Sequence, residues 1–107
     1  MDPQILKNMV DTNTVPYAML LHFVIPKMAK KARSGIINVS SVGSHWAAKG
    51  SCTYAGSKAF DRLFSLSLAG EYSNIDIMAL KPLGVETNML KMKANRKNGV
   101  ILPIECA

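Results

Sequence analysis

The chain has 107 residues, 49% of them hydrophobic and 19% charged, which excludes an intrinsically disordered protein and fits one small globular domain or part of one. Its net charge of +6 comes from 13 basic and 7 acidic side chains. The basic residues show no interleaved aromatics and no nucleic-acid-binding motif, so nucleic-acid binding is disfavoured. Solvated surface is the favoured interpretation, and contact with an anionic partner is the alternative. The two basic groups are Lys27, Lys30, Lys31 and Arg33, and Lys91, Lys93, Arg96 and Lys97.

The cysteines and histidines give no sign of a metal site. Cys52 and Cys106 lie far apart, and His22 and His45 form no ligand pair, so no metal is expected and both thiols are expected to be reduced. The longest apolar stretch, residues 15–26, is too short to cross a bilayer. The first residues do not resemble a signal peptide, and the localisation stays open.

The first predicted element is a helix from Pro3 to about Lys31. Apolar residues recur there at helical spacing, and proline suits a first helical turn. Because Pro26 lacks an amide donor, we expect the helix to end near it. The run 36–39 that follows is short, β-branched and apolar on both faces, which is typical of a buried parallel strand.

The second half of the chain continues with a helix and a strand. An apolar stripe predicts a helix from Cys52 to Tyr72, preceded by a loop over residues 40–51. Residues 75–80 form the next strand candidate, which Pro82 ends because proline cannot donate to a sheet. Residues 84–107 are predicted to be a loop followed by a weakly helical, basic stretch.

This order of strand, helix and strand predicts an α/β fold. The three elements form a βαβ unit, whose two strands are parallel and whose crossover is right-handed. Parallel sheets bury both faces and usually have several strands, so a two-stranded sheet does not cover itself. We therefore expect part of a doubly wound parallel sheet.

The most informative residues are Tyr54 and Lys58. Four residues apart on a helix, their side chains share one face about one turn apart. A tyrosine hydroxyl is a poor base at neutral pH, and a nearby ammonium group favours its phenolate form, which would suit it to proton transfer. The pair alone is weak evidence, because a surface lysine after a packed tyrosine gives the same pattern.

Two hydroxyl groups lie where the first predicted strand ends. Ser40 and Ser41 follow the run 36–39, and in open α/β sheets ligands bind at the carboxyl ends of the strands. The Tyr54–Lys58 helix and the end of the second strand are predicted at the same edge. Ser40 is alternatively a turn residue at the strand end.

Together these segments resemble the active-site signature of the short-chain dehydrogenase/reductase family. The run Gly35-Ile36-Ile37-Asn38-Val39-Ser40-Ser41 is followed by Tyr54 and Lys58, and Ser41 precedes Tyr54 by thirteen residues, the spacing used in that family. Asn13 resembles the family's helical asparagine. The segment 82–87 is similar to its loop after the strand, and the match extends over nearly the whole chain in the right order.

The resemblance implies a role for each of these residues. Ser41 would polarise a substrate carbonyl, and Tyr54 would pass the proton while hydride moves to or from a nicotinamide. Lys58 would stabilise the Tyr54 phenolate and bind the nicotinamide ribose, and Asn13 would hold a water that links Lys58 to solvent. The implied catalytic residues are Asn13, Ser41, Tyr54 and Lys58, and the implied cofactor-binding residues are Tyr54, Lys58, Pro82, Val85 and Thr87.

Details of the sequence resemble one branch of the family. The segment 25–28, the Ser40-Ser41 pair and the run 60–72 are similar to hydroxysteroid dehydrogenases and very-long-chain 3-oxoacyl-CoA reductases. This implies a steroid or 3-oxoacyl-CoA-like lipid substrate and NADP or NAD as the cofactor. Full-length members of that branch are often associated with the endoplasmic reticulum, and a cytoplasmic location is the alternative.

One part of the family pattern is missing from the sequence. The family binds its dinucleotide with a glycine-rich turn between a strand and a helix, and the seven glycines of this chain form no such cluster. We therefore interpret residues 1–107 as the catalytic portion of a Rossmann-like domain, its second half only, without the N-terminal dinucleotide-binding half. Leu83 also replaces the glycine that usually follows the proline.

Two functions remain open at this point. The first is an NAD(P)(H)-dependent oxidoreductase of carbonyl or alcohol groups, inactive as this chain alone. The alternative is a non-catalytic interaction module or remnant that pairs with a full-length relative. In this family the two long helices commonly pair across a dimer interface, so residues 3–31 and 52–72 are expected to form a homo-oligomer contact. The retention of Asn13, Ser41, Tyr54 and Lys58 favours the oxidoreductase.

Overall fold

The computed structural model describes residues 1–46, 49–85 and 100–101. The helices and strands predicted within residues 3–80 are present, with bounds close to those expected. The weakly helical stretch predicted within residues 84–107 lies almost wholly outside the described residues, and the two short strands at 84–85 and 100–101 were not predicted. In chain order the elements are α1 Pro3–Met28, β1 Ser34–Val39, a 3₁₀ turn at Val42–Ser44, α2 Cys52–Glu71, β2 Ile75–Leu80, β3 Gly84–Val85 and β4 Val100–Ile101.

The long first helix begins and ends for local reasons. The Asp2 carboxylate accepts a hydrogen bond of 2.9 Å from the amide of Gln4, which satisfies one of the free donors in the first turn. Pro26 lies inside the helix, which ends two residues later at Met28. The Asn74 side chain then donates to the carbonyls of Ala29 and Lys31, at 3.0 and 2.9 Å, and so fixes the turn that leads into β1.

The second helix packs against both α1 and the sheet. Leu21 and Ile25 of α1 and Ile75 of β2 form the buried apolar centre. Phe64 of α2 packs against this centre and meets Tyr17 edge to face, with ring centroids 5.5 Å apart. Among the described helices, none is long and apolar enough to cross a membrane.

Strands β1 and β2 pair in parallel, which confirms the α/β class. The register runs from Ser34 opposite Ile75 to Val39 opposite Leu80. The β1–α2–β2 order makes a βαβ unit, and β3 and β4 form a separate short parallel pair.

Within the described residues the sheet of β1 and β2 is covered on one face only, in agreement with the expectation that a two-stranded parallel sheet does not cover itself. Side chains alternate across a strand, and the helices cover only the face that carries Ile36, Asn38 and Ile77. On the opposite face Ile37, Val39, Met78 and Leu80 are 66%, 54%, 53% and 37% exposed. The sequence pattern makes both faces apolar, and the placement of α1 and α2 on one side of the sheet leaves the other face open.

Candidate active site

The loops that follow β1 and β2 are joined at the carboxyl edge of the sheet. The amide of Ser40 donates to the carbonyl of Leu80 at 2.8 Å, and the amide of Val42 donates to the carbonyl of Pro82 at 3.2 Å. The expected meeting of Ser41 with the loop at Pro82 is therefore present in the backbone.

Ser41 is held with its hydroxyl in a defined position. The side chain is buried, and its Oγ accepts a hydrogen bond of 3.1 Å from the amide of Gly43, capping the 3₁₀ turn. A serine hydroxyl has one donor and two acceptor sites, so this bond leaves its proton available. Such a hydroxyl can donate to a carbonyl oxygen.

Gly43 lies close to both Ser41 and Tyr54. A Cβ atom at this glycine would stand 3.5 Å from Ser41 Oγ and 3.8 Å from Tyr54 Cε1. Both groups therefore border the same small space, although they belong to different elements. The structure thus brings Ser41 and Tyr54 close to the same glycine, as expected for two residues at one edge of the sheet.

Lys58 is tied to the end of β1 at two points. Its Nζ donates to the carbonyl of Val39 at 3.0 Å, and its own backbone carbonyl accepts from Ser40 Oγ at 2.7 Å. Because Tyr54 lies one turn earlier on α2, these bonds hold at the sheet edge both the Lys58 side chain and the stretch of helix that carries Tyr54. An ammonium group has three N–H donors.

Asn13 reaches the same helix from α1. Its Nδ2 donates to Ser57 Oγ at 2.9 Å, and Ser57 Oγ donates in turn to the carbonyl of Tyr54 at 2.8 Å. Asn13 is thus linked through Ser57 to the helical turn that carries Tyr54 and Lys58. Its role as the holder of a relay water stays a prediction.

The structure describes only some of the cofactor-binding residues predicted in the segment 82–87. Pro82 lies at the sheet edge through its carbonyl, and the backbone of Val85 pairs with Ile101 in the short β3–β4 ladder. Thr87 lies outside the described residues.

A buried carboxylate beside Lys58 was not among the residues predicted from the sequence. Asp61 is 2% exposed, and its Oδ2 accepts from Lys58 Nζ at 3.2 Å. Burial raises the pKa of Asp61, and the hydrogen bond and charge of Lys58 oppose that rise. The spacing of three residues on a helix was the available signal, but it is the same for an exposed ion pair.

Next to Asp61, a network of polar groups joins α1, β1 and α2. Asn38 of β1 donates to the carbonyl of Asp61 at 3.0 Å and to Ser65 Oγ at 3.1 Å, and Tyr17 Oη of α1 lies 2.9 Å from Ser65 Oγ. Burial raises the pKa of Tyr17, the bond to Ser65 lowers it, and the charge of Asp61 raises it. Each of these buried groups has a partner, so the network fixes α2 on β1.

His45 and Lys81 connect the two loops on the surface. Lys81 Nζ lies 3.0 Å from His45 Nε2, a distance at which neutral imidazole accepts from the ammonium group. Desolvation lowers the pKa of His45, and the positive charges of Lys81 and Arg62 lower it further. The folded chain therefore favours neutral His45.

This contact should make the chain less stable in mild acid. With the pKa of His45 held below its ordinary value of 6.5, protonation is easier in the unfolded chain, so stability falls as the pH drops below 6.5 and through the lowered pKa. His45→Gln removes the titration and keeps an acceptor. The fall in Tm between pH 7.5 and 5.5 should be smaller in this variant than in the parent chain, and equal falls would contradict the prediction.

Within the described ranges, no group of three or more histidine, cysteine, aspartate or glutamate side chains could hold a metal ion. The polar side chains that do converge at the sheet edge are a hydroxyl, a phenol and an ammonium group, from Ser41, Tyr54 and Lys58. This set suits proton transfer to or from a substrate oxygen.

Comparison with known proteins identifies the relatives of this chain. A family profile described as short chain dehydrogenase matches residues 1–98. Hydroxysteroid dehydrogenase-like protein 1 of Gallus gallus is 33% identical over 87 residues, which are 79% of this chain and 26% of that protein. Very-long-chain 3-oxoacyl-CoA reductase-B of Danio rerio is 28% identical over 90 residues, which are 82% of this chain and 29% of that protein.

The likeness extends to the fold. A short chain dehydrogenase from Escherichia coli CFT073, solved in complex with NADPH, matches with a TM-score of 0.84 and 22% identity over 98% of this chain and 45% of that one. The chain spans about a quarter to a third of the length of the curated relatives it matches. Because the family profile covers most of the sequence, the chain belongs to the short-chain dehydrogenase family.

Proposed function

We propose that this chain supplies the catalytic portion of an oxidoreductase that interconverts carbonyl and alcohol groups with a nicotinamide cofactor. The observation that carries this proposal is that Ser41 and Tyr54 both lie close to Gly43, with Lys58 tied to the same sheet edge. Three side chains from two elements thus converge where parallel α/β sheets bind ligands.

In the direction of reduction, each side chain has one task. The Ser41 hydroxyl donates a hydrogen bond to the substrate oxygen and polarises the carbonyl. Tyr54 gives its phenolic proton to that oxygen as negative charge develops on it, and Lys58 stabilises the resulting phenolate. Asn13 connects the helix turn to α1 and would return a proton through a water.

The nicotinamide, when bound, supplies the hydride. The residues present fit its ribose end, because Lys58 has a third N–H donor beyond those that reach Val39 and Asp61. Pro82, Val85 and Thr87 would border the nicotinamide. A relative named NADP-dependent 3-hydroxy acid dehydrogenase favours NADP, with NAD as the alternative. The seven glycines of this sequence form no cluster that would bind the pyrophosphate.

The exposed apolar face of the sheet supports the interpretation of residues 1–107 as one part of a larger domain. Parallel sheets are covered on both faces, and Ile37, Val39, Met78 and Leu80 remain open to solvent. A dinucleotide-binding half would cover this face and complete the cofactor site. Residues 1–107 alone would then be inactive.

The names of two relatives suggest a lipid-like substrate, while others are named serine 3-dehydrogenase and NADP-dependent 3-hydroxy acid dehydrogenase. A hydroxysteroid dehydrogenase-like protein and a very-long-chain 3-oxoacyl-CoA reductase both match most of this chain. We therefore propose a steroid or a 3-oxoacyl-CoA-like lipid as the substrate class.

A second candidate function, a module that pairs with a relative, is favoured by the outer faces of the helices. On α1, Leu20 and Phe23 are more than half exposed, and on α2 so are Leu63 and Leu66. Exposed large apolar side chains on two adjacent helices favour a protein–protein contact. Such a contact is compatible with a homo-oligomeric oxidoreductase as well.

The test is an NADPH oxidation assay with a panel of steroid ketones and a 3-oxoacyl-CoA. It is run on the 107-residue chain, and on any longer product found by sequencing the native transcript upstream of Met1. The chain alone should give no turnover, and a product extended through a glycine-rich turn should give turnover. Activity of the chain alone would refute its dependence on a second half, and an inactive extended product that binds NADPH would refute the oxidoreductase proposal.

A further inference from the structure

Asp61 is a buried acidic residue to which the proposed reaction assigns no role. Its side chain is almost fully enclosed, with Oδ2 at 3.2 Å from Lys58 Nζ. Its Oδ1 is buried and makes no hydrogen bond within the described ranges. Burial of a charged carboxylate costs free energy unless the carboxylate is paired with an opposite charge. The ion pair with Lys58 is therefore what allows Asp61 to be buried.

The geometry of α2 places this acid on the side of Lys58 away from Tyr54. Tyr54, Lys58 and Asp61 follow one another at intervals of four and three residues, so all three lie on one helix face. On this face Lys58 therefore lies about one turn after Tyr54 and about one turn before Asp61.

Asp61 is itself fixed to the strand that carries the site. Its backbone carbonyl accepts from Asn38 Nδ2 at 3.0 Å and from Ser65 Oγ at 2.8 Å. Asn38 stands directly before Val39, whose carbonyl is the other acceptor for Lys58 Nζ. The two acceptors of the ammonium group are therefore held by the same short segment of β1.

Among the described residues, three face Asp61 from the elements around it, and Lys58 is the one that carries a positive charge. From α2 the charged neighbour is Lys58, and from α1 the titratable neighbour is Tyr17, which is a neutral phenol at physiological pH. From β1 the neighbour is the amide of Asn38. Burial raises the pKa of Asp61, and the Lys58 charge works against that rise.

We propose that Asp61 is a positioning residue, which holds the Lys58 ammonium at the end of β1 by a charge-assisted hydrogen bond. This role deepens the proposed function and rests on it, because the value of a fixed ammonium lies in its action on Tyr54 and on the cofactor ribose. A lysine side chain is otherwise a flexible stem with many rotamers, and two acceptors, the Val39 carbonyl on β1 and the Asp61 carboxylate on α2, restrict its ammonium to one place.

The direct test is NMR of the lysine ammonium protons in the 107-residue chain labelled with ¹⁵N-lysine. An ammonium held by a buried carboxylate should exchange its protons slowly enough to give a signal, which Lys58→Met identifies by its loss. In Asp61→Asn, which has the same shape but no charge, we expect exchange to become about tenfold faster or more, so that the signal is lost. Asp61→Leu serves as a second variant if the asparagine form does not fold.

The matched control is Asp76→Asn. It makes the same chemical change in the exposed pair of Asp76 with Arg33, where the distances are 2.7 and 2.9 Å, and should leave the Lys58 signal as it is. A Lys58 signal that is absent from the folded parent chain, or equally protected in folded Asp61→Asn or Asp61→Leu, would overturn the proposal.

A second readout separates this inference from the proposed function. In a catalytically active longer form, Asp61→Asn should lower kcat about tenfold with little change in the KM for the carbonyl substrate, since Asp61 does not touch the substrate. Loss of the ammonium signal without any activity in the longer form would leave Asp61 as the anchor of Lys58 and sink the oxidoreductase proposal. Unchanged kcat in an active Asp61→Asn form would overturn the positioning role alone.

Discussion

Replacing Tyr54 with phenylalanine should remove nearly all carbonyl reduction from an active longer form of this protein. The change deletes one hydroxyl group, which is the proton donor of the proposed reaction beside Ser41. Positioned acid–base groups contribute about 10²–10⁴-fold to a rate, so we expect kcat to fall by about 10³-fold. The measurement is NADPH oxidation with a ketone substrate, at saturating concentrations of both.

The control for this variant is Tyr72→Phe. Tyr72 follows the last turn of the same helix, packs against the apolar centre, and lies about five turns from Tyr54. Both variants should keep the far-UV circular dichroism and the Tm of the parent, because each removes a single oxygen atom. A kcat for Tyr54→Phe within tenfold of the parent, or an equal loss in Tyr72→Phe, would contradict the assigned role.

The helices and strands could be predicted from the sequence because their signals are local. The apolar stripe and the turn residues around 52–72 place α2 within one residue of its observed end. The strand at 75–80 has the predicted bounds, and Pro82 follows it as expected. The one-sided cover of β1 depends instead on where both helices lie, which is a tertiary property.

The candidate site was predictable for a different reason. Ser41, Tyr54 and Lys58 stand at spacings that resemble the family signature, and the rule that ligands bind at the carboxyl edge of parallel strands predicts one location for them. Asp61 gives no such signal, because an acid three residues after a lysine on a helix is usually an exposed pair. Its burial follows only from the packing of α2 against β1 and α1.

The role of Gly43, like that of Asp61, could not be predicted from the sequence. The sequence places this glycine in a loop, where many glycines serve as turn residues. In the structure it adopts no left-handed conformation, and its relevance lies in its closeness to both Ser41 Oγ and Tyr54 Cε1. Close approach of two side chains to one glycine cannot be inferred from spacing.

The buried pair of Lys58 and Asp61 also predicts an asymmetric response to substitution. Lys58→Met removes the ammonium group and leaves a buried carboxylate alone, which should lower the free energy of unfolding at pH 7 by about 2–4 kcal/mol. Asp61→Leu removes the buried charge instead and leaves a lysine whose flexible stem can reach water, so its effect should be within about 1 kcal/mol. Urea unfolding followed by circular dichroism measures both.

The cost of Lys58→Met should depend on pH with a definite sign. Burial holds the pKa of Asp61 above its ordinary value of 3.8, and loss of Lys58 raises that pKa further. The folded chain then binds a proton more readily than the unfolded chain, so the penalty is present above the raised pKa and shrinks as the pH falls through it toward 3.8. Lys58→Met should thus be closer to the parent in stability at pH 4.5 than at pH 7.

The double variant Lys58→Met with Asp61→Leu decides between a buried charge and a loss of packing. If the uncompensated carboxylate is the cause, removal of both charges restores most of the lost stability at pH 7, because apolar side chains of similar volume can replace a buried ion pair. The double variant also keeps the experiment informative where Lys58→Met alone does not fold at pH 7. A double variant as unstable as Lys58→Met, or a cost independent of pH, would overturn this prediction and assign the lost stability to packing or to the hydrogen bond of Lys58 with the carbonyl of Val39.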